Sequence, residues 1–314
     1  MNKIPLVGGD EIAPDEMGFC LTHEHLQVHS EGVYNQWPHL YDIDVEFDKA
    51  ISEIRKAQAF GVNTIWDMTV YGLGRDIGFM ERVARETGIN ILASTGIYTY
   101  DEIPRIFREK SVDFMSEAFI HDLEIGISGS GTKAAILKAA TDTPGITPGV
   151  EKVLRAVSRA HKATGRPIIT HSYPGNRSGA DQIKIFEQED VELNQVVIGH
   201  TGDTDNLDYI REILDKGVFV GLDRYGIDVG VGTGKRNAVV VELCKSGYAR
   251  QILLSHDASC TNDKFSAEQL LNLPKTRTLS FIPGSIIPEL KKMGVSEADL
   301  HTIFFKNPVR LFDG

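Results

Sequence analysis

Two histidines one residue apart, His23 and His25, close the first strongly apolar run of the chain, Phe19-Cys20-Leu21-Thr22. On an extended strand residues i and i+2 face the same way, so both imidazoles would point to one side of a sheet and could grip a single divalent ion. Taken alone, the pair could equally be two hydrogen-bonded histidines on a half-buried strand. Other runs close on residues of the same chemical kind. His171 ends Ile-Ile-Thr-His, His200 ends Val-Ile-Gly-His, Asp257 ends Leu-Ser-His-Asp, and Lys138 sits in Ala-Ile-Leu-Lys-Ala. A lone histidine at a strand end is usually a satisfied structural residue. Four histidines and an aspartate repeating that position on separate strands form a ligand set.

Five such ligands exceed what one catalytic zinc uses, since those sites keep three protein ligands and one open position, so two divalent ions are expected. Two cations about 3.5 to 4 Å apart need a bridging anion, and Lys138 is the odd member of the set. An ammonium buried among Ile136, Leu137 and Ala139 must deprotonate or find a partner. One consistent answer is that its neutral amine has taken up carbon dioxide, giving a carbamate that bridges both ions. The other is an ion pair with an acidic residue such as Asp257.

These residues need a scaffold that delivers strand ends to one place. Eight short β-branched runs alternate with segments of helical period: 19–26, 64–70, 91–98, 134–141, 167–172, 196–202, 218–224 and 252–258. Phe47, Ala50, Ile51, Ile54 and Ala57 form one helical stripe, and Val150, Val153, Leu154, Val157 and Ala160 another. Gly61, Gly165, Gly217 and Gly294 each follow a periodic run as helix stops. With no linker or compositional break, residues 1–314 are expected to form one α/β domain, a (β/α)8 TIM barrel, with a doubly wound open sheet as the alternative. A barrel places its catalyst at the carboxyl ends of its strands.

Composition narrows the partners. Hydrophobic residues make up 41% and charged residues 25% of 314, an ordinary globular balance. No apolar run approaches the roughly 20 residues needed to span a bilayer, and the first residues lack the apolar core of a secretory signal, which points to the cytoplasm. The three cysteines, Cys20, Cys244 and Cys260, fit no disulfide or zinc-finger spacing, and Cys20 and Cys244 read as buried apolar fillers. A net charge of −11, with no local basic cluster in the sequence, argues against nucleic acid and anionic membranes and favours a neutral or cationic small substrate.

At this point the chain resembles a family, the phosphotriesterase-like lactonases of the amidohydrolase superfamily. The resemblance runs through Thr-His-Glu-His (22–25), Gly-Leu-Gly-Arg-Asp (72–76), Thr-Gly-Ile-Tyr (95–98), Ile-Leu-Lys-Ala-Ala-Thr-Asp (136–142), Thr-His-Ser (170–172), Gly-His-Thr-Gly-Asp-Thr-Asp (199–205), Gly-Leu-Asp-Arg-Tyr-Gly (221–226) and Ser-His-Asp (255–257), in the family's order. It implies that His23, His25 and Asp257 hold the more buried of two metal ions, with zinc foremost and iron, cobalt or manganese as alternatives. His171 and His200 would hold the exposed ion, with carboxylated Lys138 and a hydroxide between the two. It further implies attack of that hydroxide on a lactone carbonyl, Asp257 as proton acceptor and donor, and Tyr98 and Arg224 positioning the lactone. Hydrolysis of N-acyl-homoserine lactones (quorum quenching), a side activity on organophosphate triesters and a homodimer are implied as well. A dedicated phosphotriesterase, another amidohydrolase or a silent ligand-binding barrel are the alternatives.

Two departures from the family pattern stand out. Ser259-Cys260 replaces a Cys-Cys pair, and Lys264-Phe265 stands where a tryptophan is usual, so the relatives' chain-length preference does not transfer. Gly230-Val-Gly-Thr-Gly-Lys235 only superficially resembles a phosphate loop and reads instead as a mobile lid. His29, His39, His121, His161, His256 and His301 read as exposed or structural.

Overall fold

The computed structural model describes residues 3–227, 229–266, 268–269 and 273–313. The chain opens with a small antiparallel pair, β1 (Ile4–Pro5) and β2 (Glu11–Ile12). Nine parallel strands follow: β3 (Phe19–Val28), β4 (Val62–Asp67), β5 (Asn90–Gly96), β6 (Ile136–Ala140), β7 (Ile168–His171), β8 (Val196–Gly199), β9 (Phe219–Leu222), β10 (Ile252–Leu254) and β11 (Ser259–Asn262). Their order in the sheet is 10-9-8-7-6-5-4-3-11. From β4 to β10 each strand neighbours its predecessor and β11 pairs with β3 at the other edge, so the reversal of order that defines a doubly wound sheet is absent among the described strands, which excludes that alternative.

Amphipathic helices cover the outer face, among them Ile43–Gln58, Ile77–Thr87, Pro148–Thr164 and Thr233–Lys245. The first three of these, and the helix Leu207–Leu214, are capped by side chains, whereas Thr233–Lys245 starts after Gly232 without one. The side chains of Asp42, Asp76, Thr147 and Asn206 accept from the backbone N–H groups of Val45, Phe79, Val150 and Tyr209, satisfying donors that the first turn leaves unpaired. Gly165 ends its helix at φ 68°, the left-handed geometry that glycine adopts without a Cβ clash.

The sheet curls far enough to enclose a second apolar layer. Cys20, Trp66, Leu92, Ile136, Ile169, Val197, Phe219 and Leu253, one from each of β3 to β10, pack together on its inner side. Two residues onward along a strand the side chains face the same way, so Ile136 and Ile169 set Lys138 and His171 on the inner side above this floor. The sheet's two edge strands, β10 and β11, are joined by residues 255–258 alone. That segment is stitched to β3: Asp257 N–H donates to His23 O at 3.0 Å and His25 N–H to Ala258 O at 2.9 Å.

The eight expected runs are all present as strands, in order, but several end early. His200 and Asp257 lie beyond β8 and β10, on turns, with φ of 59° and 51°. These are left-handed conformations that cost a non-glycine residue about 1 to 3 kcal/mol. β11 was not anticipated, because Ser-Cys-Thr-Asn lacks the apolar β-branched signature. Cys20 is buried as expected, whereas Cys244 is only partly covered.

Candidate metal centre

All eight residues singled out from the sequence, His23, His25, Tyr98, Lys138, His171, His200, Arg224 and Asp257, line one cavity of about 270 Å³ above the apolar floor. Donor atoms of His23, His200 and Asp257 lie within 4.8 Å of one another, an arrangement able to hold a cation. Asp257 Oδ1 is 3.2 Å from His25 Nε2 and 3.7 Å from His23 Nε2, while its Oδ2 is 3.7 Å from His200 Nε2. Lys138 Nζ is 3.1 Å from His23 Nε2.

Each histidine is held by its other nitrogen. Asp223 grips two of them, His23 Nδ1 at 2.7 Å and His200 Nδ1 at 2.8 Å, and also accepts from the His200 backbone N–H at 2.8 Å. Thr69 Oγ1 meets His25 Nδ1 at 2.9 Å, and Asp142 Oδ2 meets His171 Nε2 at 2.7 Å. Such partners fix ring orientation and tautomer, leaving Nε2 of His23, His25 and His200 and Nδ1 of His171 for a ligand. Burial favours the neutral form of three of them: it lowers His23, drives His200 well down and takes His171 to about 4. Neutral imidazole is the form that binds metal.

The residue between the two metal-facing histidines has its own task. Glu24, fully buried, accepts from Ser255 Oγ, from the backbone N–H groups of His256 and Ala258, and from His256 Nδ1 at 2.6 Å. It thereby fastens both sides of Asp257 to β3, which explains how a left-handed aspartate is held in place. His256 is structural, as expected. So are His29, which meets Glu46 at 2.9 Å, and His161, which meets the carbonyl of Arg166; His39, His121 and His301 are exposed.

Lys138 is 1% exposed and, among the described residues, forms no ion pair. The expected alternative partner, Asp257, is instead engaged by Arg224 Nε at 2.9 Å. Burial brings the Lys138 ammonium down to about 8. Burial would raise Asp257, but His200, the His25 hydrogen bond and Arg224 outweigh it and keep the carboxyl well below its usual range. Arg224 is in turn held by Asp203 at 2.7 Å, and Asp203 by the fully buried Arg236 at 3.2 Å.

Tyr98 places its hydroxyl 3.3 Å from His171 Nδ1 and beside the hydroxyl of Tyr100. Burial, then Tyr100, pushes its pKa well above the ordinary phenol value, so at neutral pH it is a proton donor. Sequence reasoning missed Asp223, Asp142, Thr69, Tyr100 and Arg277. Asp223 and Asp142 carry a readable signal, since Asp223 lies near the end of the seventh run and Asp142 just past the fourth, on the side where the ligands sit. The lid reading of 230–235 is corrected: these residues do not line the cavity, and Thr233 begins a helix. The segment is tied down where Arg236 donates to the carbonyls of Gly202, Arg224 and Val229.

Comparison with known proteins agrees with this geometry over the whole chain. The model of the Phosphotriesterase family matches residues 6–312. An aryldialkylphosphatase of Saccharolobus solfataricus is 49% identical across 99% of this chain and 99% of its own. A phosphotriesterase homology protein of Mycobacterium tuberculosis is 41% identical across 95% of this chain and 94% of its own. The solved structure of the phosphotriesterase from Mycobacterium tuberculosis superposes with a TM-score of 0.95 at 39% identity, covering 99% of this chain and 98% of that one. A buried histidine and aspartate cluster at the strand ends, in a chain matched so fully by this family, places the protein in the phosphotriesterase family as a metal-dependent hydrolase.

Proposed function

We propose that the protein is a binuclear metal-dependent lactonase with a lesser activity on organophosphate triesters, built as one (β/α)8 barrel over residues 1–314. The observation that carries the lactone reading is the protonated Tyr98 hydroxyl beside His171, facing the same cavity as the Asp257 and Arg224 pair. Opening a lactone releases an alkoxide, which is too basic to depart without a proton. An aryl phosphotriester releases a phenolate that needs none. A site furnished with a neutral phenol and a carboxylate poised by a guanidinium suits the former.

The donor set fits two divalent ions, zinc foremost, with iron, cobalt or manganese as alternatives: His23, His25 and Asp257 for one, His171 and His200 for the other. The buried, acid-free Lys138 fits a bridging role as its carbamate, formed when the neutral amine adds to carbon dioxide and releases one proton. Bound there, divalent ions would supply the Lewis acidity that acidifies a water and polarises the carbonyl or phosphoryl oxygen. Asp257 accepts the proton of the attacking water and returns it to the leaving oxygen. Arg224 aims Asp257, Tyr98 donates to the developing oxyanion, and the floor of Trp66, Phe219 and their neighbours keeps bulk water out from below.

Elemental analysis of the active protein is expected to find two metal ions per chain; full activity with one would refute the binuclear reading. Tyr98→Phe is expected to lower lactone kcat/KM by roughly 10- to 100-fold, the worth of one oxyanion donor, with metal content unchanged and with little loss on a phosphotriester such as paraoxon. An unchanged lactone rate, or higher efficiency of the parent on paraoxon than on any lactone of a graded series, would favour a dedicated phosphotriesterase. A homodimer is part of the proposal, supported by Trp37 and Leu40, 53% and 64% exposed on one short segment. Among the described residues no helix is long and apolar enough to cross a membrane.

A further inference from the structure

Two cations that line the cavity, Arg277 and Lys264, have no part in the chemistry proposed above. Arg277 is partly buried, and among the described residues its hydrogen-bonded partner is a neutral one, Ser259 Oγ, reached by Nη2 at 2.9 Å. Its Nε is buried with no acceptor among the described residues. The guanidinium rests on the Phe265 ring, 5.1 Å from the centroid. Lys264 stands at the cavity mouth with its ammonium 5.5 Å from the centre of the Tyr98 ring, and it too forms no ion pair among the described residues. Several other cations are answered by carboxylates, Arg75 by Asp122, Arg155 by Glu151 and Glu189, and Arg224 by Asp203 and Asp257, while Arg166 and Lys152 donate to backbone carbonyls. Of the acids near Lys264 and Arg277, Asp263 is bonded to Ser30 and Tyr41, Asp257 to Arg224, Glu24 to Ser255 and His256, and Glu53 to Lys56, Thr278 and the Leu279 N–H.

A partly desolvated guanidinium with an unused donor costs stability unless something satisfies it. Both cations line the same cavity as Tyr98 and Asp257, so a substrate held there can bring an anionic group within their reach. We propose that Arg277 and Lys264 form an anion-binding subsite, and that the preferred substrate is a lactone whose side chain carries a carboxylate. The proposal rests on the lactonase reading for the word lactone, and on these two residues alone for the charge. A carboxylate takes charge-assisted hydrogen bonds from a guanidinium and an ammonium together, whereas an aliphatic tail would leave both unpaired.

The test is a matched pair of lactones on the metal-loaded full chain, identical except that one tail ends in a carboxylate and the other in its methyl ester. The expected kcat/KM ratio favours the carboxylate by about tenfold or more and shrinks as ionic strength rises. The double substitution Lys264→Gln with Arg277→Gln is expected to bring the ratio close to one, and Arg277→Lys to retain most of it. A parent ratio of one or less, with the ester hydrolysed well, overturns the subsite and leaves the lactonase reading intact. Calorimetric titration with the ring-opened dicarboxylate and its tail monoester reads the same contact without turnover. A Kd lower by about tenfold for the dicarboxylate supports the subsite even if no lactone is hydrolysed, and equal Kd values overturn it. A sulfonate tail that matches the carboxylate would widen the ligand to anionic groups generally, which also supports the subsite.

Discussion

Replacing Lys138 with alanine is expected to lower kcat/KM on the order of a thousandfold or more, beyond the roughly 10- to 100-fold that loss of a supporting hydrogen bond costs. The reason is position. Lys138 rises from β6 directly above Ile136 of the apolar floor, 3.1 Å from His23 Nε2, with no carboxylate paired to it among the described residues. A lysine kept there as an ammonium would repel cations at His23 and Asp257. The proposed carbamate would instead supply an anion for the two cations of the proposed centre. Truncation leaves a buried space the size of the lost chain, so a short carboxylate or added bicarbonate is expected to restore part of the rate and of the metal content. Asp257→Ala, which removes a proton carrier as well as a ligand, is expected to show no such rescue. Undiminished activity of Lys138→Ala without additives would refute the bridge.

Asp223→Ala is expected to weaken metal affinity and kcat/KM together by roughly 10² to 10⁴-fold, because one carboxylate orients two histidines and each such contact is worth about 10- to 100-fold. Its oxygens are divided, Oδ2 to His23 and Oδ1 to the ring and backbone N–H of His200. Burial would raise its pKa, but His200 and His23 more than compensate and hold it well below the carboxylate range. Alanine would leave three buried donors without an acceptor, each costing about 1 to 3 kcal/mol, so the metal-free protein should also melt at a lower temperature. Asn, able to accept from one side and not the other, should fall between parent and alanine. Metal titration monitored by activity and by melting separates these effects, and unaltered affinity in Asp223→Ala would sink the assigned role.

Much of the site was readable because a parallel α/β fold converts a one-dimensional rule into a place. Apolar β-branched runs become strands that face one cavity, with His23, His25 and Lys138 within β3 and β6, His171 at the end of β7, and His200 and Asp257 just beyond β8 and β10. The supporting groups were harder to read. Asp223 lies 200 positions from His23, and nothing local marks it as the partner of two rings. Glu24 looks like a spacer between ligands until the 255–258 segment folds over it. The left-handed backbone of His200 and Asp257 has no local signal either, since neither residue favours that region as glycine does. It is imposed by Asp223 on one turn and by Glu24 and His23 on the other.

The sequence by itself determined the repeated strand and helix pattern, the ligand types and the near-complete inventory of reacting groups, because each follows from short-range period and residue chemistry. It also offered a net charge of −11 and with it the expectation of a neutral or cationic substrate. Tertiary structure sets the local balance at the proposed substrate cavity, gathering Arg224, Lys264 and Arg277 around it and, among the described residues, pairing only the first with acids. A charge total weighs every residue equally, whereas in salt solution a ligand feels groups within about 10 Å, and which groups those are is set by how the chain closes on itself.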